Sequence, residues 1–163
     1  MDKFTANFPR AVVQTRFPFE LDHRDWLISI NDAASMEPEI KANFEKIFFF
    51  FFDDETPPWD GVMQPEQAIE MANVIKQARD LEKNIWVHCH AGICRSGAVV
   101  ELLGLLGWTI VNDFSPARLP NTHVFTLLRQ QFPELEQSWD AVMDDKGYNF
   151  YKNWIDSIPE DPK

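Results

Sequence analysis

Residues 84–103 read NIWVHCHAGICRSGAVVELL, and the fold turns on how this stretch is divided. Asn84 to His88 is a short apolar run with strand character. From Ser96 the chain continues SGAVVELLGLLGW, apolar almost all round, as a central buried helix would be. Between the two, Cys89 to Arg95 form a tight strand-to-helix loop. Such a turn aims several backbone N–H groups into one concavity, and the helix N-terminus adds partial positive charge. The loop therefore suits a multiply charged oxyanion.

The side chains of the loop fit that purpose. Gly92 permits close backbone approach in mid-loop. Cys89, at the mouth, sits in a field that favours thiolate over thiol and so makes it a nucleophile. Arg95 offers a planar, two-pronged donor to equatorial oxygens, while the amides of His90, Ala91, Gly92, Ile93 and Cys94 line the ring. Ser96 can donate its hydroxyl to the sulfur, and His88 can steady the loop and tune the thiol.

Working outward, further β-rich stretches stand at 11–17 (AVVQTRF), 25–30 (DWLISI) and 47–52 (IFFFFF). The clearest helix is 64–82, where Pro65 and Glu66 suit a first turn. Ala68, Met71, Ala72, Ile75 and Ala78 then recur at spacings of three and four as one buried face. Another helix is expected over 121–131, between Pro120 and Pro133, and helical packing over 133–158 before a short acidic tail. Strands alternating with helices give an α/β fold: one domain over 1–163, with a central, mainly parallel sheet flanked by helices and covered on both faces. The Phe48–Phe52 run is then expected to be a strand buried on both sides, which need not alternate.

That run ends in Asp53, Asp54 and Glu55. If Phe48, Phe50 and Phe52 share one face, Asp54 continues it and Asp53 continues the other.

Composition narrows the function classes. Net charge is −11, which argues against nucleic acid or an anionic membrane as partner. No apolar run approaches a membrane span and the N-terminus lacks a signal-like core, so a cytoplasmic protein is expected. Two cysteines, Cys89 and Cys94, are too few for a disulfide framework, and no metal or other cofactor is expected.

The motif HCHAGICRS (88–96) resembles the phosphate-binding loop of cysteine-dependent protein tyrosine phosphatases: His-Cys, five residues, Arg-Ser, with Ala91-Gly92 inside. The short chain and central loop resemble the compact dual-specificity branch, to which WLISI (26–30) and RLPNTHV (118–124) are also similar. The resemblance covers about 26–130. It implies a phosphatase acting on phosphotyrosine, and on phosphoserine or phosphothreonine as a further class, in phosphorylated protein partners. Cys89 would form a phosphocysteine, Arg95 and the loop amides would hold the oxygens, and an upstream acid would protonate the leaving group. The register that fits best gives Asp54, which stands 35 positions before Cys89; Asp53 is second and Asp60 third.

GICRS also resembles the low-molecular-weight tyrosine phosphatases, which carry a second cysteine at this spacing but place the loop near the N-terminus. Cys94 is either a small side chain in a tight turn or a redox partner that traps oxidised Cys89 as a disulfide. His90 either touches substrate or faces solvent. The loop lacks the lysines of phosphoinositide phosphatases, which favours protein substrates. A catalytically silent phosphate-binding module, or a rhodanese-like or arsenate-reducing thiolate enzyme, is the alternative.

Overall fold

The computed structural model describes residues 2–15, 17–111 and 118–135; the helical segment expected over 133–158 lies almost wholly outside them. In chain order the elements are β1 (Phe4–Pro9), α1 (Arg10–Thr15), β2 (Asp25–Asn31), β3 (Lys46–Phe51), α2 (Pro65–Asp80), β4 (Asn84–Cys89), α3 (Arg95–Leu105), β5 (Thr109–Ile110) and α4 (Thr122–Arg129). The five strands form one sheet in the order β3-β2-β4-β1-β5. Every pairing is parallel. The expected α/β architecture is therefore present, and all C-terminal strand ends share one edge, where sites gather in such sheets.

One sheet face carries Trp26, Ile28, Ile30, Phe50, Phe52, Ile85, Val87 and Cys89. The buried stripe of α2 (Ala68, Met71, Ala72, Ile75, Ala78), the apolar body of α3, and Val124, Phe125 and Leu128 of α4 pack onto it. The opposite face holds Ala6, Phe8, Leu27 and Trp86. Among the described residues it is covered by α1 and irregular chain rather than by a layer of long helices. Phe17, Phe19 and Phe44 cluster there around Phe8 and Trp86, with ring centroids 4.9–6.3 Å apart.

Two expectations change. The apolar stretch 11–17 is not a strand: residues 10–15 form α1, and the strand precedes it at Phe4–Pro9. β1 runs between β4 and β5, and its polar Thr5 and Asn7 are fully buried. The phenylalanine strand is at the sheet edge instead of its centre. Phe50 and Phe52 are buried on the helical face, whereas Phe49 and Phe51 are half-exposed on the other. Alternation thus holds within an unbroken aromatic run.

Candidate active site

β4 delivers Cys89 to the shared edge, and α3 starts at Arg95, so the intervening loop closes on the N-terminal end of an 11-residue helix. Gly92 has φ +74°, and a Cβ there would run into the backbone of Phe8 and Pro9. Only glycine satisfies both the left-handed conformation and the close approach to β1. Asn7 fixes the same residue from below, donating from Nδ2 to the Gly92 carbonyl (2.6 Å). The His90 carbonyl accepts from the Arg10 amide (3.2 Å). The loop is thereby tied to β1 and the start of α1 on one side while His90 and Ala91 stay exposed on the other.

At its floor Cys89 is 2% exposed. Its sulfur accepts from the Gly92 amide (3.2 Å) and meets the Ser96 hydroxyl (3.1 Å). Two hydrogen-bonding groups thus converge on one sulfur beside a helix N-terminus. Behind it, His88 pairs across the sheet with Ser29, Nε2 to Oγ 2.6 Å, as their register requires. Burial pushes the His88 pKa down to about 4, so the ring is neutral near pH 7. His88 braces the strand and contributes no cation to the sulfur.

Arg95 is 4% exposed, and one of its terminal nitrogens, Nη1, contacts both the Asp32 carboxylate and the Phe52 carbonyl at 2.8 Å. Asp32 follows β2 and is 59% exposed at the side chain, so the pair sits at a solvent boundary and orients more than it stabilises. Among the described residues, Nε of Arg95 is buried without a hydrogen-bond partner. That donor edge is available to an anion.

The three upstream acids separate cleanly. Asp53 uses both carboxylate oxygens to shape its own loop: Oδ1 accepts from the Ala33 amide (2.9 Å) and Oδ2 from Trp59 Nε1 (3.0 Å). Its amide donates to the Gly61 carbonyl (2.7 Å). The Ala33 and Trp59 donors, in that order, hold its pKa below the usual carboxylate range. Asp54 instead leans over the Cys89 loop, accepting from Asn121 Nδ2 (2.9 Å) and contacting the Cys94 thiol. Asp60 is exposed on the far part of the loop. Cys94 is half-buried; burial first, then the Asp54 charge and hydrogen bond, push its pKa up to about 12. Its thiol is thus kept protonated while Asp54 lies against it.

The structure brings together every residue singled out from 88 to 96, with Asp54 beside them and Asp60 apart. Asn7, Ser29, Asp32 and Asn121 join the site without having been singled out. Three of them lie on β1 or β2 or at the end of β2, and their signal was positional: parallel strands end at one edge. Among the described residues no group of three or more His, Cys, Asp or Glu is placed to hold a metal ion. Nor is any described helix long and apolar enough to cross a membrane.

A family model described as protein-tyrosine phosphatase matches residues 53–131, a span that runs from the acid loop through the Cys89 loop to α4. No curated protein matches the chain.

Proposed function

We propose that this chain, whose residues 53–131 match a family model described as protein-tyrosine phosphatase, is a cysteine-dependent phosphatase that hydrolyses phosphotyrosine on proteins through a phosphocysteine at Cys89, and accepts phosphoserine and phosphothreonine as the compact dual-specificity members do. The Cys89 sulfur attacks phosphorus, and the bond from phosphorus to the substrate oxygen breaks. Asp54, protonated, gives its proton to that leaving oxygen. The resulting carboxylate then takes a proton from water, whose oxygen attacks phosphorus and displaces the Cys89 thiolate. Ser96 steadies the sulfur as it leaves. Arg95 and the amides from His90 to Arg95 hold the equatorial oxygens through both steps.

The observation that carries this reading is the convergence on one sulfur of the Gly92 amide and the Ser96 hydroxyl, with Asp54 leaning over the same loop. Asp53 serves as scaffold: a carboxylate already accepting from Ala33 and Trp59 resists the protonated form that an acid needs. His90 faces solvent at the rim. Exposed Asp32, bonded to Arg95, and exposed Asp54 and Glu55, both bonded to Asn121, put negative charge near the loop and disfavour polyanionic substrates, which supports a phosphoprotein over a phosphoinositide or RNA. Both cysteines are free thiols, in keeping with a reducing, cytoplasmic setting.

Cys94 carries the redox part of the proposal. Peroxide oxidises the Cys89 thiolate to sulfenic acid, and the Cys94 sulfur then displaces its oxygen as water, forming a disulfide. The Asp54 contact slows that step by keeping Cys94 protonated. Equal reversal of peroxide inactivation by dithiothreitol in Cys94→Ser and wild type would contradict the disulfide.

The primary test is turnover of p-nitrophenyl phosphate by wild type and Cys89→Ser. Wild type is expected to turn over and the variant to lose roughly 10⁴-fold or more of kcat, the scale of removing a nucleophile. No turnover by wild type would mean a phosphate-binding module instead.

A further inference from the structure

The geometry points to Asn121 as the positioning residue that holds the Asp54 carboxylate over the Cys89 loop. The inference rests on Asp54 being the acid. Asn121 is 8% exposed and uses nearly all of its hydrogen-bonding capacity across three pieces of chain. Its amide donates to the Cys94 carbonyl (2.9 Å), which fixes it to the phosphate-binding loop. Its Oδ1 accepts from the Val124 amide (3.1 Å), which caps α4. Its Nδ2 donates both to Asp54 Oδ1 (2.9 Å) and to the Glu55 carbonyl (3.1 Å), which grips the acid loop by side chain and backbone together.

The base of this latch is itself braced. Arg118 Nε donates to the buried Glu101 carboxylate of α3 (2.7 Å), and Arg118 Cβ lies against Gly97, where an added Cβ would sit 3.4 Å from it. The Asn121 backbone is therefore registered to α3 and to the Cys89 loop before its side chain reaches out. The acid loop, by contrast, leaves an edge strand, and residues 54–60 are exposed. Without the Nδ2 donors, the Asp54 side chain would have to find its place over the loop through the Cys94 thiol, a weak donor. A misplacement of about 1 Å in a catalytic group costs up to roughly 10²-fold in rate.

The cap and the latch can be separated chemically. Asn121→Asp keeps an N-cap acceptor as good as asparagine but withdraws both donors and places a second carboxylate beside Asp54. Asn121→Ala removes cap and latch together. Steady-state kinetics across pH would be measured for both variants, wild type and Asp54→Asn, with melting curves alongside. One substrate is a phosphotyrosine peptide, whose leaving phenolate needs a proton; the other is a fluorinated umbelliferyl phosphate, whose leaving group barely does.

We expect Asn121→Asp to melt within about 2 °C of wild type, since its cap is retained. It should lose about 10- to 100-fold in kcat on the peptide and little on the activated ester. Its alkaline limb should move to higher pH, because a neighbouring carboxylate disfavours ionisation of the acid. Asn121→Ala should show the same selective loss together with a lower melting temperature. The proposal is overturned if Asn121→Asp keeps the wild-type leaving-group dependence and pH profile, or if both variants lose activity toward both substrates in step with lost folded protein. Should Asp54→Asn itself keep the wild-type leaving-group dependence, the assignment of the acid falls and the latch with it. If Asp54→Asn shows the selective loss and Asn121→Asp does not, only the latch falls.

Discussion

The Cys89–Arg95 loop joins β4 to α3 in the middle of the sheet, whereas the acid loop from Asp53 to Gly61 leaves the edge strand β3. The first is wired into its neighbours from beneath: Asn7 to the Gly92 carbonyl, Arg10 to the His90 carbonyl, Asn121 to the Cys94 carbonyl. The second is exposed along most of its length and is held mainly by side chains, Asp53 to Ala33 and Trp59, and Asn121 to Asp54 and Glu55. The contrast matches the roles proposed for the two loops. An oxyanion cup gains from fixed donors that need no reorganisation. A proton donor must meet substrates of varying leaving group, and a tethered carboxylate serves that purpose.

Substitutions in the two loops should therefore fail differently. Asp54→Asn should reduce kcat on phosphotyrosine peptides by about 10²- to 10⁴-fold, the range for losing a general acid, with an unchanged melting temperature. Its acidic-group dependence in the pH–rate profile should vanish. Asp53→Asn breaks the loop scaffold and should cost less, about 10-fold, while keeping that dependence. The reverse pattern would exchange their roles.

In the cup, Gly92→Ala meets the backbone of Phe8 and Pro9 and forces a left-handed φ on a residue with a Cβ. Roughly 2–4 kcal/mol of stability should be lost, measured by denaturant unfolding, together with activity toward every substrate alike. A loss confined to poor leaving groups would place the cup and the acid loop in one mechanical unit and dissolve the contrast.

The last effect concerns stability alone: it involves His88 and has no leaving-group signature. Its folded pKa of about 4 lies below the ordinary 6.5, so the unfolded chain takes up the proton first as pH falls. Stability from a neutral His88 is complete above pH 6.5, erodes between 6.5 and about 4, and changes no further below that. Between pH 7.5 and 4.5 wild type should lose roughly 2–3 kcal/mol more than His88→Asn, by urea unfolding at each pH. Equal losses would contradict a neutral, buried His88.

How much of this was legible in the sequence follows the same division. The cup announced itself because its residues are contiguous: sulfur, glycine, guanidinium and hydroxyl lie within eight positions, Cys89 to Ser96. Helix α2 was equally plain, since Ala68, Met71, Ala72, Ile75 and Ala78 have no other reason to recur so regularly. β1 was hidden because Thr5 and Asn7 are polar yet buried, Asn7 as a brace for Gly92. The valines of 11–17 favoured a strand by propensity, but the chain has already passed the sheet edge at Pro9 and closes a helical turn there. The phenylalanine run looked central since all five residues are apolar, and it is an edge strand that buries one face. Choosing Asp54 over Asp53 relied on the register that the resemblance implies; β3 ends at Phe51, so strand alternation does not reach either acid, and it is their hydrogen-bond partners that distinguish them. Asp32, Ser29 and Asn121 were invisible, since their roles depend on strand register and on a contact spanning 67 positions.

The most direct test is to trap the intermediate. Asp54→Asn, supplied with the activated ester, should still be phosphorylated, because that leaving group needs no acid, yet should hydrolyse slowly without a base for water. Acid quench and fragment-level mass spectrometry should then find one phosphoryl group on Cys89, absent from Cys89→Ser and scarce in wild type. A phosphoryl group on Cys94 or His90, or none on a protein that turns the ester over, would contradict the assignment of Cys89 and Asp54.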